Sequence, residues 1–222
     1  MITRLGMAPR DPAATPASFQ AHWRTEHADA AGSIPGVRRY TQHHGVLVDG
    51  RPPLPYPGFD ACSELDFDDL EAHDAGFASD HYQGAVRADE DRFVDKSRAS
   101  WVLGTREELL DRGRPSDPVT LLSLWRAHPE RGVDALVERA HRWAEVVAAD
   151  DRVLGHARLT PRHDWHTARR PAACDLVDVL TFASVADALA HLAEPAHEAA
   201  MALAGAVFGS AHHLARPIDV VG

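Results

Sequence analysis

Alternating apolar and polar positions divide the first half of the chain into short strands and helical segments. Runs with a period of two indicate half-buried strands, whereas apolar positions three or four apart indicate helices. The predicted elements are strands at residues 2–8, 37–48, 60–67 and 99–105, a first helix at about 16–31, a short helix from 68 and a further helical segment at about 79–95. The order β-α-β-β-α-β is that of a ferredoxin-like unit, a sheet with its helices on one face.

The first helix has a defined start and a defined apolar face. Thr15 suits the N-cap, and Pro16 suits the first helical position, where its missing N–H costs no hydrogen bond. Phe19, Trp23 and His27 are four residues apart and share one face. We expect this face to lie on the sheet, which would bury the imidazole.

The strands predicted at 37–48 and 60–67 separate their side chains into two faces. Tyr40 points to the same side as three polar residues of its strand, which are Arg38, Gln42 and His44. On the following strand, Leu65 and Phe67 share one face, and the other face carries Cys62, Glu64 and Asp66. Groups that can handle protons therefore recur on particular strand faces of the first half.

The second half repeats the order of the first. Its predicted strands are residues 118–125, 153–161, 174–182 and 211–221, and its predicted helices are residues 132–150 and 184–208. Ser184 and Asp187 stand in capping-box positions at the start of the last helix. Gly36 stands just before the second strand of the first half, and Gly155 takes the matching place in the run VLGHARLTP of the second half.

We predict an α+β fold of two tandem ferredoxin-like units that face each other as an intramolecular pseudo-dimer. Residues 1–105 form the first unit, 106–118 the linker and 119–222 the second unit. A four-stranded sheet with helices on one face leaves its other face to be covered, and the second unit would cover it. The alternative is a single α+β fold in which the repeated order is a coincidence.

Composition narrows the classes of function. A net charge of −10 makes nucleic acid an unexpected partner, because phosphate binding needs a basic surface. The only lysine is Lys96, so chemistry through a lysine imine is also not expected. The chain has two cysteines, no apolar segment long enough to cross a membrane and no apparent signal peptide, so we expect a cytoplasmic protein without a membrane partner.

Residues 1 to about 105 resemble the EthD family of dimeric α/β-barrel proteins. The resemblance rests on four features that follow one another in a fixed order. They are Trp23 and His27 on the first helix, Pro35, Gly36 and Tyr40 at the second strand, Glu64 and Phe67 on the third strand, and Asp91 and Phe93 near the end of the unit. It implies a ferredoxin-like fold and a small-molecule substrate. The family includes dehydratases and decarboxylases of polyketide pathways, and its superfamily includes isomerases, cofactor-free monooxygenases and haem-binding enzymes.

With this resemblance, the first half is interpreted as an enzyme that needs no cofactor. His27, kept neutral by burial, would remove a proton next to a carbonyl group. Tyr40 would donate to the enolate oxygen, and Glu64 would orient His27 or return the proton. The residues expected to contact the substrate are Phe19, Trp23, Arg38, Gln42 and His44. The expected reaction is dehydration, cyclisation or isomerisation of an aromatic or polyketide-like compound.

Other interpretations remain open at this stage. His27 could be a core residue, Tyr40 a packing residue and Glu64 a solvated one. The chain could bind a small molecule without catalysis, act as a cofactor-free monooxygenase, or bind haem or a metal through its histidines. The adjacent histidines, 43–44 and 212–213, diverge if they lie on strands, so we expect no metal site.

When the two halves are aligned, the second half lacks the polar residues that form the expected site of the first half. Aligned on the two glycines and on Phe67 and Phe182, the positions of Trp23, His27, Tyr40 and Glu64 are taken by Arg142, Val146, Leu159 and Val179. We therefore expect one competent site in the first half and a structural second half. The chain would act as a monomeric pseudo-dimer or as a homodimer.

Overall fold

The computed structural model describes residues 1–166, 171–196 and 206–222. Eight strands form one closed barrel. The strands are β1 (Ile2–Ala8), β2 (Arg39–Gly45), β3 (Ala61–Phe67), β4 (Ser100–Asp111), β5 (Val119–Ala127), β6 (Gly155–Pro161), β7 (Leu176–Phe182) and β8 (Val207–Val221). The helices outside are α1 (Pro16–His22), α2 (Ala28–Gly32), α3 (Leu70–Ala78), α4 (Arg87–Phe93), α5 (Gly132–Ala148) and α6 (Val185–Leu192). Two π-helical segments, Trp23–His27 and Tyr82–Val86, and one 3₁₀ turn, His163–Trp165, complete the described elements.

The order of strands around the barrel is β1-β3-β2-β8-β5-β7-β6-β4, with antiparallel pairing throughout. Read from the long strand of each half, the order is β4-β1-β3-β2 in the first half and β8-β5-β7-β6 in the second. β4 pairs first with β1 and then with β6, and β8 pairs first with β5 and then with β2. The α+β class is confirmed, and in both halves the described strands and helices follow one another along the chain in the predicted order.

Two predicted elements end more than five residues away from the observed ends. β4 continues to Asp111, so the first part of the expected linker is a strand that pairs with β6. The helix expected at 184–208 starts at its Ser184 cap, but α6 ends at Leu192. Pro195 follows shortly after, and the residue before a proline disfavours helical backbone. Residues 197–205 of that prediction lie outside the described residues, and its last two residues, Val207 and Phe208, belong to β8 instead of a helix.

The core has an inner and an outer layer. Inside the barrel, apolar residues of both halves pack together, among them Leu5, Met7, Val102, Leu122, Ala157, Leu159 and Val177. Outside, α5 and α6 cover the second half of the barrel with a cluster that includes Trp125, Leu136, Trp143 and Phe182. The helices of the first half cover two clusters around Tyr40, Phe67, Phe19 and Trp23. No helix within the described ranges is both long and apolar enough to cross a membrane.

The place where β4 passes from β1 to β6 requires a glycine. A Cβ on Gly104 would lie 2.3 Å from the carbonyl oxygen of Thr160, which belongs to the paired backbone. We expect Gly104→Ala to lower the free energy of unfolding by about 1–3 kcal/mol, because a rigid strand must shift. Gly209→Ala is the matched control, since a Cβ there meets nothing within 4 Å. Chemical denaturation tests this, and equal stability of the two variants would contradict it.

Candidate active site

The outward face of β2 carries polar side chains that are buried beneath the first helix. Tyr40 is fully buried, and Gln42 is as well. Gln42 Nε2 donates to the Trp23 carbonyl oxygen at 2.7 Å and to the Tyr40 hydroxyl at 2.9 Å. Phe19 packs next to Trp23 with ring centroids 6.2 Å apart. Strand and helix are therefore joined by hydrogen bonds at this point as well as by apolar packing.

His44 lies at the end of this polar row, with its ring centroid 4.4 Å from that of Trp23. Its Nε2 faces Gln42 Oε1 at 2.8 Å, and its Nδ1 faces the side-chain oxygen of Gln20. Both amides give their N–H groups to other acceptors, so only a doubly protonated ring could donate to both oxygens. Burial and the charge of Arg24 oppose that state and lower the pKa of His44 to about 3. At neutral pH the ring donates to one of the two.

His27 is held by a carboxylate on the opposite helix. Its Nδ1 lies 2.9 Å from one oxygen of Asp89, and the other oxygen of Asp89 lies 2.8 Å from His22 Nε2. His27 and Asp89 are buried, with 7% and 9% of their surface exposed. Phe93, one turn after Asp89 on α4, packs on the His27 ring with centroids 5.1 Å apart. The imidazole therefore has a fixed position and a fixed plane.

The protonation of His27 follows from these contacts. With Nδ1–H donated to the Asp89 carboxylate, Nε2 carries the lone pair. Burial lowers the pKa of His27, and the hydrogen bond to Asp89 and the charge of Glu90 only partly offset this effect. Nε2 has no hydrogen-bond partner among the described residues. The site thus contains a neutral imidazole with a lone pair available as a base.

Both helices that carry this pair are π-helical next to it. His27 is the last residue of the segment Trp23–His27, and Asp89 lies three residues beyond the segment Tyr82–Val86. A π segment inserts an extra residue into a helical turn, and such insertions are frequent at functional sites. Here they coincide with the elements that bring the histidine and the aspartate together.

The Tyr40 hydroxyl is protonated throughout the neutral range. Burial raises the pKa of Tyr40 to about 12, and the hydrogen bond from Gln42 lowers it only in part. The hydroxyl can therefore act as a donor but does not become a phenolate. It belongs to the same helix–sheet layer as His27.

The first half of the chain matches a known sequence family. Residues 11–97 match the sequence model of the EthD domain. The first half of this chain contains an EthD domain. A comparison with curated proteins gave no match.

Solved structures extend the similarity to the whole chain. An anthrone oxidase-like protein is 14% identical, with a TM-score of 0.70 over 99% of this chain and 93% of that chain. A candidate monooxygenase from Lactobacillus acidophilus NCFM is 10% identical, with a TM-score of 0.55 over 99% of this chain and 94% of that chain. An EthD family protein from Bacillus halodurans C-125 is 23% identical over 47% of this chain and 98% of that chain, with a TM-score of 0.38. The two full-length similarities show a shared fold.

Glu64 does not meet His27 in the EthD domain. It pairs across the sheet with Thr41, and its side chain points into the barrel, where it binds Arg39, Arg106 and His43. The expected role of orienting His27 is therefore corrected. The physical reason is the period of the strand, because Leu65 stands opposite Tyr40 and its neighbour Glu64 must face the other way.

Arg38 is also separate from the other expected site residues. It precedes β2 and binds Asp68 at the surface, where both side chains are more than half exposed. The expected contact between Arg38 and a substrate in the helix–sheet layer therefore has no support from its position. Phe19, Trp23, Gln42 and His44 are brought together with Tyr40 as expected.

The sequence patterns did not single out Asp89. The family pattern pointed instead to Asp91, which is exposed and binds Lys96 at 2.8 Å. The available signal was helical spacing, since Asp89 is four residues before Phe93 and shares its face. His22, one residue before Trp23 on the first helix, is also bound to Asp89.

The second half has a different buried polar group from the one that the alignment suggested. Arg158 lies opposite Asp178, and His156 lies opposite Leu180 on the outward face. His156 therefore takes the position of Tyr40, and Leu159 faces the barrel interior. Aligning the glycines displaced the strand by three residues, and an odd displacement exchanges its two faces.

The helix positions in that alignment also shift. Arg142 is exposed and binds Glu138, whereas Ala140, Trp143 and Val147 form the buried face of α5. Gln42 and Arg158 occupy similar places, because each donates to a carbonyl of the helix above it. The two halves thus differ in chemistry at equivalent places, but the expected apolar replacement is wrong, because the second half buries its own polar group of His156, Arg158 and Asp178.

One group of described residues has ligand atoms close enough to hold a metal ion, and it consists of His22, Glu26 and Asp89. Its geometry favours hydrogen bonds over coordination. Both oxygens of Asp89 already accept from histidine rings, and Glu26 is largely exposed. The absence of a tight metal site stays a prediction, which elemental analysis of the purified protein would test.

Proposed function

We propose that the chain is a cofactor-independent enzyme that removes a proton next to a carbonyl group of a small, aromatic or polyketide-like substrate. The observation that carries this proposal is the pairing of His27 Nδ1 with Asp89 at 2.9 Å, which leaves Nε2 as the base. Asp89 replaces Glu64 in the role of orienting residue. The expected outcome of the reaction is dehydration, cyclisation or isomerisation.

The remaining residues have supporting roles. The Tyr40 hydroxyl, protonated because of its raised pKa, would donate to the enolate oxygen that forms. Phe19 and Trp23 would supply an aromatic wall. Asp89 would stabilise the imidazolium that forms when His27 takes the proton, since its carboxylate already accepts the Nδ1 proton.

Access requires movement in this layer. His27 and Trp23 lie on the buried face of their helix, so we expect that a ring-sized substrate reaches Nε2 when the helices separate from each other or from the sheet. The π segments that precede α2 and α4 would provide the flexible points, because a π turn disturbs regular helical hydrogen bonding.

We also propose that the two halves correspond to the two subunits of a dimeric α/β barrel, with residues 1–105 carrying the site and residues 119–222 supporting it. The repeated strand order supports this interpretation. Since β2 pairs with β8 and β4 with β6, one chain closes the barrel by itself. A second copy is therefore not needed to complete the fold.

Oxygenation is the second candidate function. The fold is shared with an anthrone oxidase-like protein and a candidate monooxygenase. Anthrone is an aromatic ketone with an acidic C–H bond, so its oxidation by O₂ can also begin with loss of a proton. The same His27–Asp89 pair would then produce a carbanion that reacts with oxygen.

Deuterium exchange tests the shared first step. Anthrone and a panel of aryl ketones are incubated with the protein in D₂O under nitrogen, and incorporation at the acidic carbon is followed by mass spectrometry. We expect catalysed exchange for at least one compound with the wild-type protein and not with His27→Ala. Repeating the reaction in air with an oxygen electrode separates oxygenation from lyase or isomerase chemistry. Equal exchange with both proteins would overturn the proposal.

A further inference from the structure

A cavity lies inside one end of the barrel, on the other side of the sheet from His27. Its volume is about 230 Å³, and strands β2 to β8 all contribute to its wall. This end is polar, whereas the rest of the barrel interior is filled by apolar side chains. The residues that matter for its chemistry are Arg39, His43, Glu64, Arg106, Thr120 and Val179.

A buried carboxylate organises this cavity. Only 2% of Glu64 is exposed, and the charge would be costly there without partners. One oxygen accepts from Arg39 and from Arg106, at 2.9 Å in the second case, and the other lies 3.0 Å from His43 Nε2. The charges of Arg106 and Arg39 and the hydrogen bond from His43 outweigh burial and hold the pKa of Glu64 well below its usual range.

His43 extends this arrangement across the cavity to the second half of the chain. Its Nδ1 lies 3.1 Å from the hydroxyl of Thr120 on β5. With Nε2–H donated to Glu64, Nδ1 accepts the hydroxyl hydrogen of Thr120. Both side chains are buried, and they fix the polar wall without any contribution from the helices.

The arginines retain donors that no described residue uses. Arg39 Nε donates to Asp66 at 2.7 Å, its Nη1 donates to the Thr41 hydroxyl at 3.4 Å, and its Nη2 donates to Glu64. Arg106 donates to Glu64 through Nη1 and to Glu108 through Nε and Nη2. Since each Nη carries two hydrogens, both guanidinium groups keep N–H groups for a further acceptor. The opposite wall offers apolar surface from Val179 and neighbouring leucines.

We infer that this cavity binds an uncharged, oxygen-bearing compound about the size of one aromatic ring. The free N–H groups favour a carbonyl or similar oxygen, and Val179 favours an apolar ring. A charged ligand is disfavoured at the buried end beside Glu64, because Arg39 and Arg106 already pair with carboxylates there. The other charged residues of the wall, Glu108, Asp111, Arg114 and Asp219, are exposed at the solvent end of the cavity. The volume is below that of pockets for larger ligands.

This site is distinct from the His27 layer. His43 and Glu64 face the inside of the barrel, whereas Gln42 and Tyr40 face the first helix from the other side of the same sheet. Binding here does not require the proposed reaction. The two inferences can therefore fail separately.

Three ring compounds of similar shape and different charge test the inference. They are neutral benzamide, anionic benzoate and cationic benzylamine. Binding is followed by amide chemical shifts of the ¹⁵N-labelled protein, with Thr120 and Thr181 as reporters at the cavity. We expect concentration-dependent, saturable shifts of these reporters with benzamide and at least tenfold weaker binding of the two charged compounds. Stronger binding of benzoate or benzylamine, or no shift at the reporters with benzamide, would overturn the inference.

Variants locate the binding. Val179→Phe fills the cavity, and Arg106→Met removes donors while Glu64 keeps Arg39 and His43 as partners. We expect each variant to weaken benzamide binding at least tenfold, and Arg106→Met decides the question if Val179→Phe does not fold. The control is His73→Ala, a buried histidine outside the barrel. Binding that survives in Arg106→Met, or that is lost in His73→Ala with an intact fold, would place the ligand elsewhere.

Discussion

Asp178→Ala is expected to lower the free energy of unfolding by about 3–5 kcal/mol, which is the cost of breaking a buried ion pair by removing one partner. Asp178 is fully buried on the outward face of β7. Its carboxylate accepts from Trp125 Nε1 at 2.9 Å and from Arg158 Nε at 2.8 Å, and it lies 2.7 Å from His156 Nε2. Alanine would leave the Arg158 charge buried with no carboxylate beside it.

The network around Arg158 cannot easily compensate. Its Nη2 donates to the Ala140 carbonyl oxygen at 2.9 Å, and its Nη1 is buried without a hydrogen-bond partner among the described residues. Loss of Asp178 would therefore add a second set of unsatisfied donors to one that already exists. The enclosed rings of Trp143 and His156 leave little room for water to replace the carboxylate.

A double variant and a surface control show whether the loss of stability comes from the unpaired buried charge of Arg158. Asp178→Leu combined with Arg158→Met removes both charges, and we expect it to be clearly more stable than Asp178→Ala, since apolar pairs often replace buried ion pairs at little cost. Asp151→Ala is the surface control, because its side chain is fully exposed. Urea denaturation followed by circular dichroism gives the three values. A loss below about 1 kcal/mol for Asp178→Ala would contradict the expected cost.

The order of strands and helices along the chain could be predicted because the pattern of apolar positions and loops recurs in both halves. What the pattern could not supply is the register of strands that are distant along the chain. The alignment of Leu159 with Tyr40 shows this, because a glycine before each strand suggested equivalence and the pairing with β7 gives another register. Closure of the barrel by β4 and β8 depends on contacts between the halves, which local periodicity does not encode.

Part of the candidate site could be predicted from local periodicity. Helical spacing placed Trp23 and His27 on one buried face, and strand alternation placed Tyr40 with Gln42. The register between the two strands decides the place of Glu64. Because Leu65 stands opposite Tyr40, the neighbouring Glu64 must point to the other face of the sheet. The partnership of His27 with Asp89 spans 62 positions and depends on how two helices pack, so the sequence alone gave only the spacing of Asp89 and Phe93.

His27→Ala is expected to lower turnover by about 10²–10⁴-fold, the usual contribution of a general base, once a substrate has been found by deuterium exchange. The matched control is His73→Ala. His73 is also buried in the outer layer of the first half, and its Nδ1 also lies 2.8 Å from an aspartate, Asp74. Its Nε2, however, faces Arg4 at 3.5 Å, so it offers no free lone pair to a substrate. We expect His73→Ala to keep its turnover, provided that circular dichroism shows an intact fold.

The pH profile distinguishes a base from a structural histidine. His27 must be neutral to accept a proton, and burial lowers its pKa from the ordinary 6.5, so turnover should be constant at neutral pH and should fall only below pH 6.5. Asp89→Asn removes a charge that raises this pKa, so the acid limb of the profile should move to still lower pH while the turnover at neutral pH decreases. A merely structural Asp89 would change stability and leave the position of the limb where it was. An acid limb that stays in place in Asp89→Asn, or full turnover in His27→Ala, would therefore rule out this pair as the catalytic base and its orienting residue.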